Sequence, residues 1–383
     1  MIASSPRGGA EVENYELREE IRHGGASYFL QTSYNSESGQ IQSSFFRDGA
    51  MFDSVVMDID GEPVPSRLRE LTKEIHQNSK RNFRVLLAAR DRIGRASDPA
   101  PHLRLAEALL GRNLFIEAMQ EAESAIEKGS KDSRAWMVIA ESRYRLGQYE
   151  PALAAVDTGI RLSPDYPDLL NLKGRIHLKR RQCSEAVKSF TRAIELNMYY
   201  GEPYLNLIRA YLLNTIIKQD YDLSRGLDEK LKKNLDRVRQ LNPFVRPEKL
   251  EEARALFEQQ SYEEALEILD GLEAAGSRDP VDDIMLELYL SLLQGAEEFE
   301  DAQIESFLDR IREILDRNPT YADAWNSLGI LYTAKCKIFM DKSREAFQKA
   351  LEINDGYGKA RKNLRLTEND RQGIFILLKA LLD

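Results

Sequence analysis

The chain has 383 residues, 42% of them hydrophobic and 31% charged, a balance that belongs to packed domains rather than to a disordered chain. Its formal charge of -9 argues against a general nucleic-acid-binding surface, which needs net positive charge against phosphate, and no run of about 18 apolar residues is present to cross a bilayer. Two cysteines, Cys183 and Cys336, and four scattered histidines form neither a disulfide framework nor a metal-ligand spacing, and point to a reducing compartment, the cytoplasm. Residues 1–10 lack the apolar core of a secretion signal and read as a flexible tail.

Residues 11–95 read as a small α+β module. Tyr15, Leu17 and Ile21 share one parity. So do Tyr28, Leu30, Thr32 and Tyr34, then Ile41, Ser43 and Phe45, then Met51, Asp53, Val55 and Met57. Turn signals at His23-Gly24-Gly25, residues 35–39 and Arg47-Asp48-Gly49 separate these runs, which predicts a four-stranded antiparallel meander. After Pro63-Val64-Pro65, the stripe Val64, Leu68, Leu71, Ile75, Phe83, Leu86 and Leu87 predicts a long helix covering one face of the sheet, because four strands alone leave an apolar face in water. Residues 66–95 carry nine bases and three acids. Two readings stand: a docking face for an acidic partner or nucleic acid, or a solvated helix face that offsets acidic strands. Residues 94–99 form a hinge.

From Pro99 a period of 34 residues takes over. Trp136, Ile139, Ala140, Tyr144, Gly147, Tyr149, Ala152 and Pro164 are matched one period later by Leu170, Lys173, Gly174, Leu178, Arg181, Cys183, Ala186 and Met198. One period earlier stand His102, Leu105, Ala106, Leu110, Asn113, Phe115, Ala118 and Ser130. Small residues recur at Ala106, Ala140 and Gly174, at Ala118, Ala152 and Ala186, and at Ala125, Gly159 and Ala193. Two antiparallel helices approach closely only where side chains are small, with aromatic and aliphatic residues filling the remaining space.

This pattern resembles the tetratricopeptide repeat family, whose units are helical hairpins. Units begin near Pro99, Ser133, Pro167 and Gly201. The fourth has about eleven extra residues around 214–225. A fifth starts at Arg246 with Ala253, Tyr262 and Ala265. A sixth starts at Pro280 and carries a connection rich in Glu298, Glu300 and Asp301. A seventh shows Trp325, Leu328, Gly329 and Tyr332, then Phe347 and Ala350, with a slightly lengthened turn. The resemblance implies a mainly α fold over residues 96–355: a right-handed superhelical solenoid of about seven hairpins. Residues 356–383 read as one or two capping helices. Their apolar run 373–382 closes the last hairpin, with membrane-surface attachment or self-association as the functional alternatives.

Catalytic signatures are lacking. There is no GxxxxGK[ST] or GxGxxG loop and no GxSxG elbow. Cys183 stands where the neighbouring repeats have Phe115 and Tyr149, so it reads as a packed thiol. Asp58-Ile59-Asp60-Gly61 reads as a turn, since the remaining ligands of a calcium loop are missing. His177 falls on a packing position. No catalytic, cofactor-binding or metal-binding residue is assigned.

The resemblance also implies a concave groove lined by the first helix of each hairpin. In this register one row is Leu103, Met137, Asn171 and Leu205. The next is Arg104, Val138, Leu172 and Asn206. A turn further on come Glu107, Glu141, Arg175 and Arg209, and beyond them Tyr144 with Leu110, Leu178 and Leu212. The expected ligand is a peptide or helix of another protein, its acidic part at Arg175 and Arg209 and its basic part at Glu107 and Glu141. The alternative is that these charges pair with one another across neighbouring repeats. A subfamily that clamps the acidic tails of heat-shock chaperones needs Lys and Asn, then Asn, then Lys and Arg. The matching places hold Asn171 and Arg175, then Asn206, then Pro247 and Glu251, so only Asn206 agrees. The expected function is a non-catalytic adaptor or scaffold. A ligand-sensing or enzymatic amino-terminal module with the repeats as an arm is the second reading, and self-assembly through the carboxyl-terminal helix is the third.

Overall fold

The computed structural model describes residues 15–36, 38–59, 64–94, 96–241, 246–274, 280–293 and 301–382. The expected tail, Asp60 and Gly61 of the aspartate turn, Arg95 of the basic stretch, and Glu298 and Glu300 lie outside the described residues. The chain forms two compact units: residues 1–94 with 112–114, and residues 95–111 with 115–383.

In the first unit, β1 (Glu16–His23), β2 (Ala26–Asn35), β3 (Gln40–Arg47) and β4 (Ala50–Asp58) pair in chain order, each antiparallel to the next. Two of the hairpins turn on two residues with positive φ, Gly24 and Gly25 in one, Asp48 and Gly49 in the other. That conformation matches the twist of the flanking strands. Helix α1 (Pro65–Ile93) packs on β1, β2 and β3. Ile21, Tyr28, Leu30, Ile41 and Phe45 meet Leu68, Ile75, Phe83, Leu86 and Leu87 in the core. The Phe83 ring lies 4.9 Å from Phe45 and 5.1 Å from Tyr28, centroid to centroid. The alternation read from sequence marks the buried face in β2 and β3 and fails in β4. Val55 and Met57 pair with Ser43 and Ile41, yet they are exposed, because α1 packs along β1 to β3 and β4 is the far edge.

The second unit is a series of antiparallel helix pairs. They are α2 (Pro99–Gly111) with α3 (Phe115–Glu127), α4 (Ser133–Arg145) with α5 (Tyr149–Leu162), and α6 (Pro167–Lys179) with α7 (Cys183–Leu196). Then α8 (Glu202–Ile217) pairs with α10 (Leu227–Leu241), separated by the short α9 (Tyr221–Ser224), and α11 (Pro247–Glu258) pairs with α12 (Tyr262–Ala274). Side chains of α13 (Pro280–Leu293) and α14 (Asp301–Arg317) share one core with α15 (Ala322–Ile353) and α16 (Gly358–Leu382).

The period is visible in the backbone. Asn113, Gly147 and Arg181, 34 residues apart, all take positive φ, at 56°, 73° and 58°, and turn the chain from first to second helix. Proline at the first turn of α6, α8 and α11 sits where its missing N–H costs no helical hydrogen bond. The inserted residues of the fourth hairpin are held by Asn214, whose Nδ2 donates to Asp220 O at 2.7 Å and whose Oδ1 accepts from Asp220 N at 3.0 Å. Cys183 is fully buried, and burial pushes its thiol up to about 11, as a packing role requires.

The seventh unit differs from its sequence reading. Trp325, Leu328, Gly329, Tyr332, Phe347 and Ala350 were expected on two helices, and all lie on the single 32-residue α15. Its middle, residues 333–345, has no Gly or Pro and carries a buried Lys337–Asp341 ion pair at 2.9 Å, one helical turn apart. The break falls instead at residues 354–357. The expected cap is one helix, α16, which pairs antiparallel with α15.

Candidate functional site

The residues expected to line the groove fall on α2, α4, α6 and α8. Leu103, Val138, Tyr144, Asn171, Leu205, Asn206 and Arg209 are buried. Arg104, Glu107, Met137, Glu141 and Arg175 are half-buried. The structure joins the polar members into two groups. At the α2–α4 end, Arg104 Nη1 donates to Glu107 Oε2 at 3.2 Å, and Arg134 lies 3.6 Å from the other Glu107 oxygen. Burial raises the Glu107 carboxyl against the pull of both arginines. At the α4–α6 step, Arg175 donates two hydrogen bonds to Glu141, at 2.9 and 3.2 Å. This is the parallel two-bond geometry that makes Arg–carboxylate pairs strong. The Arg175 guanidinium also lies 4.7 Å above the Tyr144 ring and 3.9 Å from Glu202.

From α6 onward the network runs inward. Asn206 Nδ2 donates to Asn171 Oδ1 at 3.0 Å, and Asn171 Nδ2 donates to the Tyr200 hydroxyl at 3.1 Å. Arg209, 2% exposed, donates from Nη1 to Asn206 Oδ1 at 2.8 Å and from Nε to Asp270 Oδ1 at 2.7 Å. Asp270 belongs to α12, which packs on α8. Sequence reasoning missed Asp270, Tyr200 and Glu202: Asp270 stands 61 residues beyond Arg209 on the second helix of the next hairpin, and Tyr200 and Glu202 sit at the turn into α8, outside the first-helix rows. Burial raises the Tyr200 hydroxyl and the nearby Asp168 carboxyl, so this stretch of the network is held away from water.

A second feature had no sequence signal. Between α10 and α11 lies a cavity of about 330 Å³. Leu231, Leu235 and Phe257 line it together with Asp228, Lys232 and Arg254.

The first unit holds a polar cluster beneath α1. Thr32 Oγ1 lies 2.7 Å from Ser43 Oγ and 2.9 Å from His76 Nδ1. Glu19 lies 3.5 Å from His76 Nε2 and 2.6 Å from Lys80 Nζ. A neutral ring with its proton on Nε2 completes a one-way chain from Ser43 through Thr32 to His76. Thr32 and Ser43 are fully buried and His76 is nearly so. Burial holds the His76 imidazole below its ordinary 6.5, so the unfolded chain binds that proton more readily. Stability of this unit is therefore full above about pH 6.5 and falls as the pH drops below it. The hydrogen bond from Lys80 keeps Glu19 below its ordinary 4.5, so its contribution is lost only at lower pH. Hydrogen exchange of β2 peptides, corrected for intrinsic rate, should show protection falling between about pH 7 and pH 5.5, and His76→Gln should flatten that dependence. Equal slopes in both proteins would assign the effect elsewhere.

Comparison with known proteins bears on the helical unit. The sequence model of the tetratricopeptide repeat family matches residues 103–167, the stretch in which α2 to α5 repeat small residues and positive-φ turns one period apart. The chain carries tetratricopeptide repeats. A TPR repeat-containing protein of Methanocaldococcus jannaschii is 30% identical over 86 residues, which is 22% of this chain and 15% of that protein. The chain thus spans a small part of that relative. Among solved structures, a thermophilic TPR protein of Thermus thermophilus is 20% identical, covers 52% of this chain and 98% of its own, and has a TM-score of 0.31. A Pseudomonas aeruginosa pilF structure is 16% identical, with coverages of 59% and 95% and a TM-score of 0.36. These scores are too low for either structure to place side chains. Tetratricopeptide repeats imply a protein-interaction scaffold, and no described helix is long and apolar enough to cross a membrane.

Proposed function

We propose that the chain is a non-catalytic cytoplasmic adaptor whose repeats take a peptide or helix of another protein along α2, α4 and α6. The observation that carries this reading is the half-buried Glu141–Arg175 pair between α4 and α6, with the half-buried Arg104–Glu107 pair on α2 and half-buried Met137 on α4. Arg175 is fixed by Glu141 and the Tyr144 ring, so a partner carboxylate would meet a guanidinium already oriented for it. Glu141 would keep a cation, because Arg145 Nε lies 3.2 Å from its Oε1. Basic partner groups would meet Glu107, whose buried carboxyl gains most from an added positive neighbour. Two moderate contacts on one rigid frame then raise effective concentration between partners.

Single charge reversals are poor probes here, since they also break internal pairs. The exchange Glu141→Arg with Arg175→Glu keeps the pair and reverses the order of charge presented to a ligand. Affinity capture from native extract, with mass spectrometry, should return a protein with the unaltered chain and lose it with the exchanged one. On the purified pair, binding should weaken by about 2–5 kcal/mol, measured below the melting temperature of the exchanged chain, which falls because position 141 then sets an arginine beside Arg145 and position 175 a glutamate beside Glu202. Equal capture by both baits would sink the groove reading.

A further inference from the structure

Helix α2 packs on α3 of its own hairpin and on α4 of the next, as stacked hairpins require. It also packs on α13, which belongs to neither. The meeting point is Arg104. Its guanidinium lies 5.8 Å from the centre of the Tyr289 ring, within the range at which a cation and a ring face attract each other. The same guanidinium donates to Glu107 at 3.2 Å. Tyr289 is 8% exposed, so the contact is largely closed to water, where such a contact counts most. Arg104 and Glu107 are the α2 members of the two rows that continue with Val138 and Glu141 on α4 and with Leu172 and Arg175 on α6. A helix from late in the chain therefore stands against the side of α2 that belongs to the proposed groove.

The make-up of α13 suits that place. Its acids are Asp282, Asp283 and Glu287, and it has no Lys or Arg. An acidic helix complements a side of α2 at which Arg104 and Arg134 gather around Glu107. α13 is also held by the helices that follow it. Ile284 and Leu288 are buried in the core formed with α14, α15 and α16. Glu287 accepts from Arg310 of α14 at 3.0 Å, and Ser291 accepts from Gln303 of α14 at 3.0 Å. None of these contacts involves α2, so α13 stays anchored when the α2 contact is lost. We propose that the Arg104 side of α2 is a helix-binding seat with α13 as its resident occupant, and that the partner of the repeats is an amphipathic helix that takes the seat from α13 by presenting an aromatic ring to Arg104. Resting on the groove reading above, this makes the free chain partly closed at its α2 end. A partner helix gains over α13 where it also brings a cation to Glu107, which α13 cannot supply.

The probe is a labelled peptide of residues 280–293, titrated into the full native chain and into full-length Tyr289→Leu. Leucine keeps an apolar side chain in the core shared with α14 to α16 and takes the ring away from Arg104. The peptide should bind Tyr289→Leu about tenfold more tightly than the native chain, whose seat is filled. A peptide carrying the same leucine should lose that gain, and so should a chain that combines Tyr289→Leu with Arg104→Gln. Equal affinity for the native and Tyr289→Leu chains, or binding to neither, would overturn the proposal. Arg104→Gln by itself leaves the core of α13 to α16 untouched and approaches the same contact from α2. In that chain, hydrogen exchange should show less protection of residues 280–293 and unchanged protection of residues 149–196. Native protection of residues 280–293 would equally remove α13 from the seat. The exchange of Glu141 and Arg175 acts on α4 and α6, so capture lost there while α13 and Arg104 show no coupling would keep the groove and reject its resident helix.

Discussion

Phe190→Ala is expected to destabilise the helical unit by about 3–5 kcal/mol, the usual cost of removing a fully buried aromatic ring. Phe190 is 0% exposed and lies in the core cluster with Leu178, Ala186, Tyr204 and Leu207. Its ring rests where Gly174 has no side chain. Gly174→Ala alone gains about 1 kcal/mol of helix propensity and loses about 1–3 kcal/mol to overpacking, so its net effect is mildly destabilising. In the Phe190→Ala background the clash disappears and the added methyl occupies the vacated space. The double variant should therefore be more stable than Phe190→Ala. Urea unfolding followed by circular dichroism measures all three, and additive changes would show that the glycine is not there for the ring.

Arg209→Met comes second. The guanidinium is buried and bonded to Asn206 and Asp270. Removing one partner of a fully buried ion pair costs about 3–5 kcal/mol, because the charge left behind has neither a partner nor solvent. Asp270 keeps 47% of its side chain in solvent, so the lower end, about 3 kcal/mol, is expected. The double variant Arg209→Met with Asp270→Leu should recover part of the loss, since no carboxylate is left behind. Arg209→Lys should not rescue, because an ammonium cannot reproduce the forked donors that hold Asn206 and Asp270 together. If Arg209→Met unfolds at the same urea concentration as the native chain, the α8–α12 tie contributes nothing. The expected loss also explains why Arg209 is a poor probe of partner binding: its substitution changes the frame before it changes the surface.

The extent to which the fold was legible differs along the chain. Ala106, Ala140 and Gly174 announced hairpins because close helix approach is a local requirement, met by residues one period apart. The glycine turns of the sheet were legible for the same reason. The seventh unit was misread because its packing residues, Trp325 to Ala350, satisfy the pattern of a hairpin while the residues between them lack anything to stop a helix. Pattern places a residue on a face, and a separate signal must break the chain. In β4, alternation gave the face and could not say whether a helix would cover it. The residues expected to line a groove fall on the first helices of their hairpins, yet the pairings of Arg175 and Arg209 could not be separated by sequence: one meets Glu141 on the first helix of the preceding repeat, the other Asp270 on the second helix of the next hairpin.

By itself the sequence determined the repeating hairpins, the meander and helix before them, and the rows of side chains on each first helix. These follow from spacing within one or two elements, where backbone geometry fixes which residues share a side. The tertiary structure decided that α12 reaches α8, that a cavity opens between α10 and α11, and that α15 continues unbroken through the expected turn and leaves open space at Gly329. Those outcomes depend on how successive hairpins stack, and stacking angles accumulate over many residues from packing contacts that no short window of sequence contains.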